Sequence, residues 1–177
     1  MTEKESKREY YNSAMYYGTL LGAVWAVMYL LVFAGATNIM CAMTAIVLYA
    51  GSPFIAGWFA TRYRKEECND EMQYSNAWQF LVIMYICATT IGTIVNYIYI
   101  NHIDHGGFIG EMQEMLSAIQ GTPGATADIV AASESYRELL SRIDTTALPW
   151  QIMESDCLNS FLLPPIIALF VKKGKQI

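Results

Sequence analysis

The sequence predicts an all-α integral membrane protein: a four-helix bundle with an extracytoplasmic amphipathic helical hairpin between the third and fourth spans. Three observations predict it. Of 177 residues, 54% are hydrophobic and only 15% charged, whereas soluble domains run to about 45–50% and about 25%. Mean hydropathy is +0.27 despite a polar N-terminus and a polar stretch after residue 100, so the apolar residues are concentrated elsewhere. Lys and Arg are also sorted to one side of a four-span threading, as the spans below make clear. A disordered chain, most soluble folds and, at a net charge of −5 and pI near 5.0, a nucleic-acid-binding protein are excluded.

A spanning helix needs about 20 mostly apolar residues. Residues 16–36 and 38–61 each supply one with no internal charge, and 77–100 a third. The fourth, 150–171, is weaker. Its clean part begins at Cys157 and is too short alone, so the helix must take in Glu154 and Asp156. Ala34-Gly35-Ala36 has the small-residue look of a signal cleavage site. The apolar run before it is long for a signal peptide and a second apolar segment follows at once, so a retained first helix in a hairpin with the second is expected.

With four spans, Lys4, Lys7, Arg8, Arg62, Arg64, Lys65, Lys172, Lys173 and Lys175 fall on one side, and only Arg137 and Arg142 on the other. Nine of eleven basic residues on one side makes both termini cytoplasmic. Three spans would split the clusters, which retains the weak fourth helix. Tyr10, Tyr11, Tyr16, Tyr17, Tyr63, Tyr74 and Trp78 fit the inner interface, and Tyr97, Tyr99 and Trp150 the outer one. Trp25 and Trp58 have no such explanation.

Residues 101–149 form the outer excursion, with seven acidic and two basic side chains. Gly121-Thr122-Pro123-Gly124 divides it. Ile109, Met112, Leu116 and Ile119 before the turn, and Ile129, Tyr136, Leu139, Leu140 and Ile143 after it, recur at helical spacing. Each stripe is expected to pack on its partner helix or on the membrane surface, with acidic faces solvated.

This order of segments resembles a family of small four-span bacterial inner-membrane proteins known only as a domain of unknown function. The resemblance rests on Tyr17-Gly18 opening the first helix, a charged cytoplasmic turn, and a third helix beginning after Ser75-Asn76-Ala77 and ending in Asn96-Tyr97-Ile98-Tyr99-Ile100-Asn101. A Met-containing amphipathic excursion and a short last helix ending in lysines complete it. It implies the fold and a bacterial inner-membrane location, and transfers no catalytic residue. Glu154, Asp156 and Pro164-Pro165 are not part of that pattern.

Candidate chemistry is sparse. His102, Asp104 and His105 could ligate a metal, but the spacing puts the two His on different helical faces and no Cys joins them, so a solvated loop and no metal are expected. Cys41, Cys68, Cys87 and Cys157 form no Cys-x-x-Cys. Cys41 and Cys157 share the outer interface and could pair, although inert thiols are the default. Glu154 and Asp156 either decorate a helix start, where the dipole favours acids, or line a polar pathway that Asn159 and Ser160 continue inward. Pro53 and Pro164-Pro165 interrupt the second and fourth helices at similar depth, as packing kinks or as the paired breaks of a transporter-like site. Gly18, Gly22 and Ala26, with Ala14, repeat every four residues and form a close-packing face for the second helix or a second protomer.

No nucleophile elbow, phosphate loop, zinc-protease helix or dinucleotide fingerprint occurs. No enzyme activity and no cofactor are expected. The leading expectation is a structural or accessory membrane component. The alternative is a small-solute or ion transporter, oligomeric, lined by Glu154, Asp156, Asn159 and the broken helices. The lipid bilayer is the first partner, with a second protomer or another membrane protein as candidates.

Overall fold

A computed structural model describes residues 3–105, 107–121, 126–144 and 147–173, with side chains from residue 7 onward. Among the described residues six α-helices follow one another: α1 (Glu3–Ala34), α2 (Ile39–Glu67), α3 (Tyr74–Ile98), α4 (Gly107–Gln120), α5 (Ala127–Ser141) and α6 (Leu148–Val171). Four of them, α1, α2, α3 and α6, are long and apolar enough to cross a membrane. The weak fourth span is therefore a full helix, with Pro149 in its first turn, where a missing N–H costs nothing.

The spans form a ring in the order α1–α3–α6–α2. α3 packs against α1 and α6, and α2 closes the ring against both. The small-residue face of α1 decides the first seam. A Cβ added at Gly18 would lie 2.7 Å from Cys87 Cβ and 2.8 Å from the Met84 carbonyl, and one at Gly22 would meet Ile91 and the Ala88 backbone. This face thus packs on α3, and not on either expected partner, α2 or a second protomer. Ala14 is fully buried and Ala26 partly so on the same side. On the outside of the ring, Phe54, Val47, Met40, Leu162 and Phe170 are exposed, the surface that lipid tails cover in a bilayer.

Two of the aromatic residues expected near the inner interface are buried in the bundle: Tyr63 is stacked on Phe80 at 4.3 Å, and Tyr17 is tilted against Phe59 and Phe80. Ring edges and hydroxyls near a charged turn read alike whether they face lipid or each other. Tyr11, Tyr16, Tyr74, Trp78, Tyr97 and Trp150 are exposed. Trp58 is exposed too, with the Arg62 guanidinium 5.9 Å from its ring centroid.

The α2–α3 turn does more than carry positive charge. Arg64 is buried, and its guanidinium donates to Asp70 (3.0 Å) and to the carbonyl of Val171 at the C-terminal end of α6. Lys173 donates to the other oxygen of Asp70, while Met72 and Lys173 exchange backbone hydrogen bonds of 3.0 Å. Two left-handed residues, Asn69 and Asp70, make the turn, a conformation Asn and Asp tolerate. The Lys173 hydrogen bond, against some desolvation and with help from Arg64, holds the Asp70 carboxyl below the usual carboxylate range. A depressed folded-state pKa stabilises fully above the unfolded value and is lost as pH falls through the folded one. Asp70→Asn should therefore melt below wild type at neutral pH, with the gap closing in acid. A gap that does not change with pH would show that Asp70 acts without its charge.

After α3 the chain continues as a π-helical turn, Tyr99–Asp104, where a solvated loop was expected. The Asp104 carboxylate accepts the Phe108 N–H at 2.8 and 3.0 Å and so caps the start of α4. α4 and α5 pack on each other, and Phe108 meets Phe33 of α1 edge-on. The dividing turn at 122–125 lies outside the described residues. On α5 only part of the apolar stripe is covered: Ile129, Tyr136 and Leu139 are 48%, 62% and 59% exposed.

A polar chamber between the spans

The sequence offered Glu154, Asp156, Asn159, Ser160 and Pro53 as a polar pathway. The structure separates Glu154 from the rest. It is exposed, whereas Asp156 is 6% exposed and turned into the bundle. Successive helical residues turn by about 100°, so two positions apart they face nearly opposite ways.

The Tyr29 hydroxyl donates to the buried Asp156 carboxylate from α1. Gly92 on α3 makes room for that phenol, since a Cβ there would stand 3.0 Å from the Tyr29 ring. Ser160, one turn further along α6, bonds the Asp156 carbonyl (2.8 Å) and Thr89 of α3 (2.8 Å). Trp25 Nε1 donates to Ser52 of α2 at 2.8 Å, and Asn159 reaches Tyr49 of α2 at 3.5 Å. Each neighbouring pair in the ring is thus joined by a polar contact, α1–α3 by the Tyr10 hydroxyl donating to the Asn76 carbonyl at 2.7 Å, and α1 also reaches across to α6. At about 1.5 Å per residue, Asp156 lies roughly 12 Å in from the start of α6, and Ser52 roughly 20 Å from the start of α2.

A cavity of about 180 Å³ is lined by Trp25, Tyr29, Tyr49, Ser52, Asp156 and Asn159, with Met28, Ala50, Pro53 and Leu163, while Ser160 and Thr89 lie outside it. Tyr49 is exposed and Asn159 partly so, which sets its mouth between α2 and α6. Among the described residues no Lys, Arg or His forms an ion pair with Asp156. The buried Tyr85 hydroxyl, a polar neighbour of Ser52, and the fully buried Asn96 amide, a neighbour of the Tyr29 hydroxyl, lack a well-formed hydrogen bond.

The helices are not broken. α2 runs through Pro53 and α6 through Pro164-Pro165 without interruption, so the transporter-like paired breaks are absent. Pro53 still lines the cavity, while Pro164 is packed away. All four cysteines are free, Cys41 and Cys157 included. Cys68 is partly buried beside Tyr63, and burial pushes its thiol up. His102 and His105 are exposed, and no group of three metal-ligating side chains occurs among the described residues.

Sequence reasoning missed Trp25, Tyr29, Tyr49, Tyr85, Thr89 and Asn96. Inside a span, Trp and Tyr count as apolar, and only Thr89 and Asn96, seven residues apart on one face of the third helix, carried a polar signal.

No curated protein and no solved structure matches the chain. A family model, described as protein of unknown function (DUF4199), matches residues 16–173. With nearly the whole chain matched, and the four apolar helices all within or overlapping that stretch, the chain belongs to the DUF4199 family of proteins of unknown function.

Proposed function

We propose that the protein is a non-enzymatic, multi-pass protein of the bacterial inner membrane that takes up a small solute or ion in the Asp156 chamber. The observation that carries this reading is a buried carboxylate with one neutral hydrogen-bond donor, facing a cavity between spans. An ionisable side chain at membrane depth is expensive and, where retained, marks a binding or transport site. The chamber offers one carboxylate and no nucleophile–base pair, which supports binding over catalysis. The bias of Lys and Arg supports a threading with both termini in the cytoplasm and the α4–α5 hairpin outside.

The accessory role is the second reading, favoured by the exposed Ile129, Tyr136 and Leu139 stripe on α5, a face that a second protomer or another membrane protein could cover. Reconstitution separates the two. Full-chain protein in proteoliposomes should show a cation- or proton-linked flux that falls at least tenfold in Asp156→Asn. A folded, correctly inserted wild type with no flux above empty liposomes would overturn transport and leave the accessory reading.

A further inference from the structure

We infer that the ligand of the chamber is a small organic ammonium cation, with the Asp156 carboxylate as counter-ion and the rings of Trp25, Tyr29 and Tyr49 as its walls. This inference rests on the chamber being a solute site, as proposed above, and adds the chemical class of the solute.

Charge comes first. A buried carboxylate is costly unless it is paired, and Tyr29 supplies one hydrogen bond but no charge. A cation in the cavity would supply it, whereas an anion would be repelled and a neutral apolar molecule would leave the carboxylate as it is. The lining then selects among cations. A hard metal ion asks for six or more oxygens, but here one carboxylate, one serine hydroxyl, two phenols and one carboxamide are spread among Met28, Ala50, Pro53 and Leu163, and no metal-ligating group of three is formed among the described residues. A small alkali ion would exchange its water for too few oxygens. An alkylammonium spreads its charge over apolar groups, needs few oxygens, and is attracted by aromatic faces, Trp most of all.

Size agrees. A cavity of about 150 Å³ holds benzene, so one of about 180 Å³ admits roughly six to eight non-hydrogen atoms. The mouth also agrees: with Tyr49 58% exposed between α2 and α6, entry runs past an aromatic ring on the lipid-facing side, a route open to a cation with an apolar shell. Trp25 is held by its bond to Ser52 and by an edge contact to Tyr85 at 5.9 Å, so its ring is fixed before the ligand arrives.

The test is calorimetric titration of the full-length protein in detergent with tetramethylammonium chloride, tert-butyl alcohol as a neutral molecule of the same shape, and sodium and potassium chloride. Tetramethylammonium should bind at least tenfold more tightly than tert-butyl alcohol. Asp156→Asn, which can still accept from Tyr29, should weaken binding at least tenfold, and Tyr49→Leu, at the exposed mouth, about threefold or more while folding as wild type. Tetramethylammonium binding that neither variant alters, or no binding, would overturn the inference. Asp156-dependent binding of sodium or potassium alone would overturn it too, but would leave the chamber an ion site. Silence from every cation, together with no Asp156-dependent flux, would remove both.

Discussion

Gly18→Leu should abolish the folded bundle. A Cβ at this position already lies 2.7 Å from Cys87 Cβ and 2.8 Å from the Met84 carbonyl. The second of these is backbone and cannot rotate away. Overpacking a well-filled core costs about 1–3 kcal/mol, and more where the obstacle cannot move, out of a total stability of about 5–15 kcal/mol. Gly18→Ala should fall in the lower part of that range, while Leu has to part α1 from α3 over several residues. Gly51 is the internal control, because nothing lies within 4 Å of a Cβ added there, so Gly51→Ala should melt at or above wild type. Melting and size-exclusion profiles in detergent check the set. A wild-type melting curve for Gly18→Leu, or equal losses for Ala at 18 and at 51, would contradict the α1–α3 seam.

The second large effect concerns Tyr29. Tyr29→Phe keeps the ring against Gly92 and deletes the hydroxyl that Asp156 accepts from. Leaving a buried polar partner unsatisfied costs about 1–3 kcal/mol, more if it is charged, and the melting temperature moves by roughly 2–4 °C per kcal/mol in a chain of this size. A drop of at least several degrees is expected. Replacing both partners, as Tyr29→Phe with Asp156→Leu, removes the orphan and should recover much of the loss, because an apolar pair in place of a buried polar one is often near neutral. If the double variant melts at the sum of the two single losses or below, the two side chains are not coupled and their contact is wrong.

How far the sequence reached differs from element to element. The spans were legible because crossing a bilayer demands length and apolarity that composition alone reveals, and 150–171 was secured by charge sorting despite Glu154 and Asp156. The ring order was not legible. Gly18 and Gly22 announced a close approach, but nothing in an apolar span says which backbone approaches, and α3 was neither of the two partners offered, the second helix and a second protomer. Asp156 stood out as a charge in a span, whereas its partner Tyr29 did not, since hydropathy hides a phenol among Leu and Val. Arg64 was read only as part of a topological signal, because its contact with the end of α6 spans 107 residues of sequence. Asp104 was set in a loop, and only the structure shows it capping the next helix.

The most direct test of the central claim, that α6 carries Asp156 into the bundle against Tyr29 of α1, is a proximity measurement. In a background with Cys41, Cys68, Cys87 and Cys157 replaced, cysteines at positions 29 and 156 should be joined by a short bifunctional thiol reagent in membranes and recovered as one linked peptide pair by mass spectrometry. A pair at 46 and 156 serves as control, because Ile46 is 61% exposed on the outer face of α2. Efficient linkage of 29 to 156 with little of 46 to 156 is the expected result. Linkage of 46 to 156 with none of 29 to 156 would place Asp156 outside the bundle and contradict the chamber.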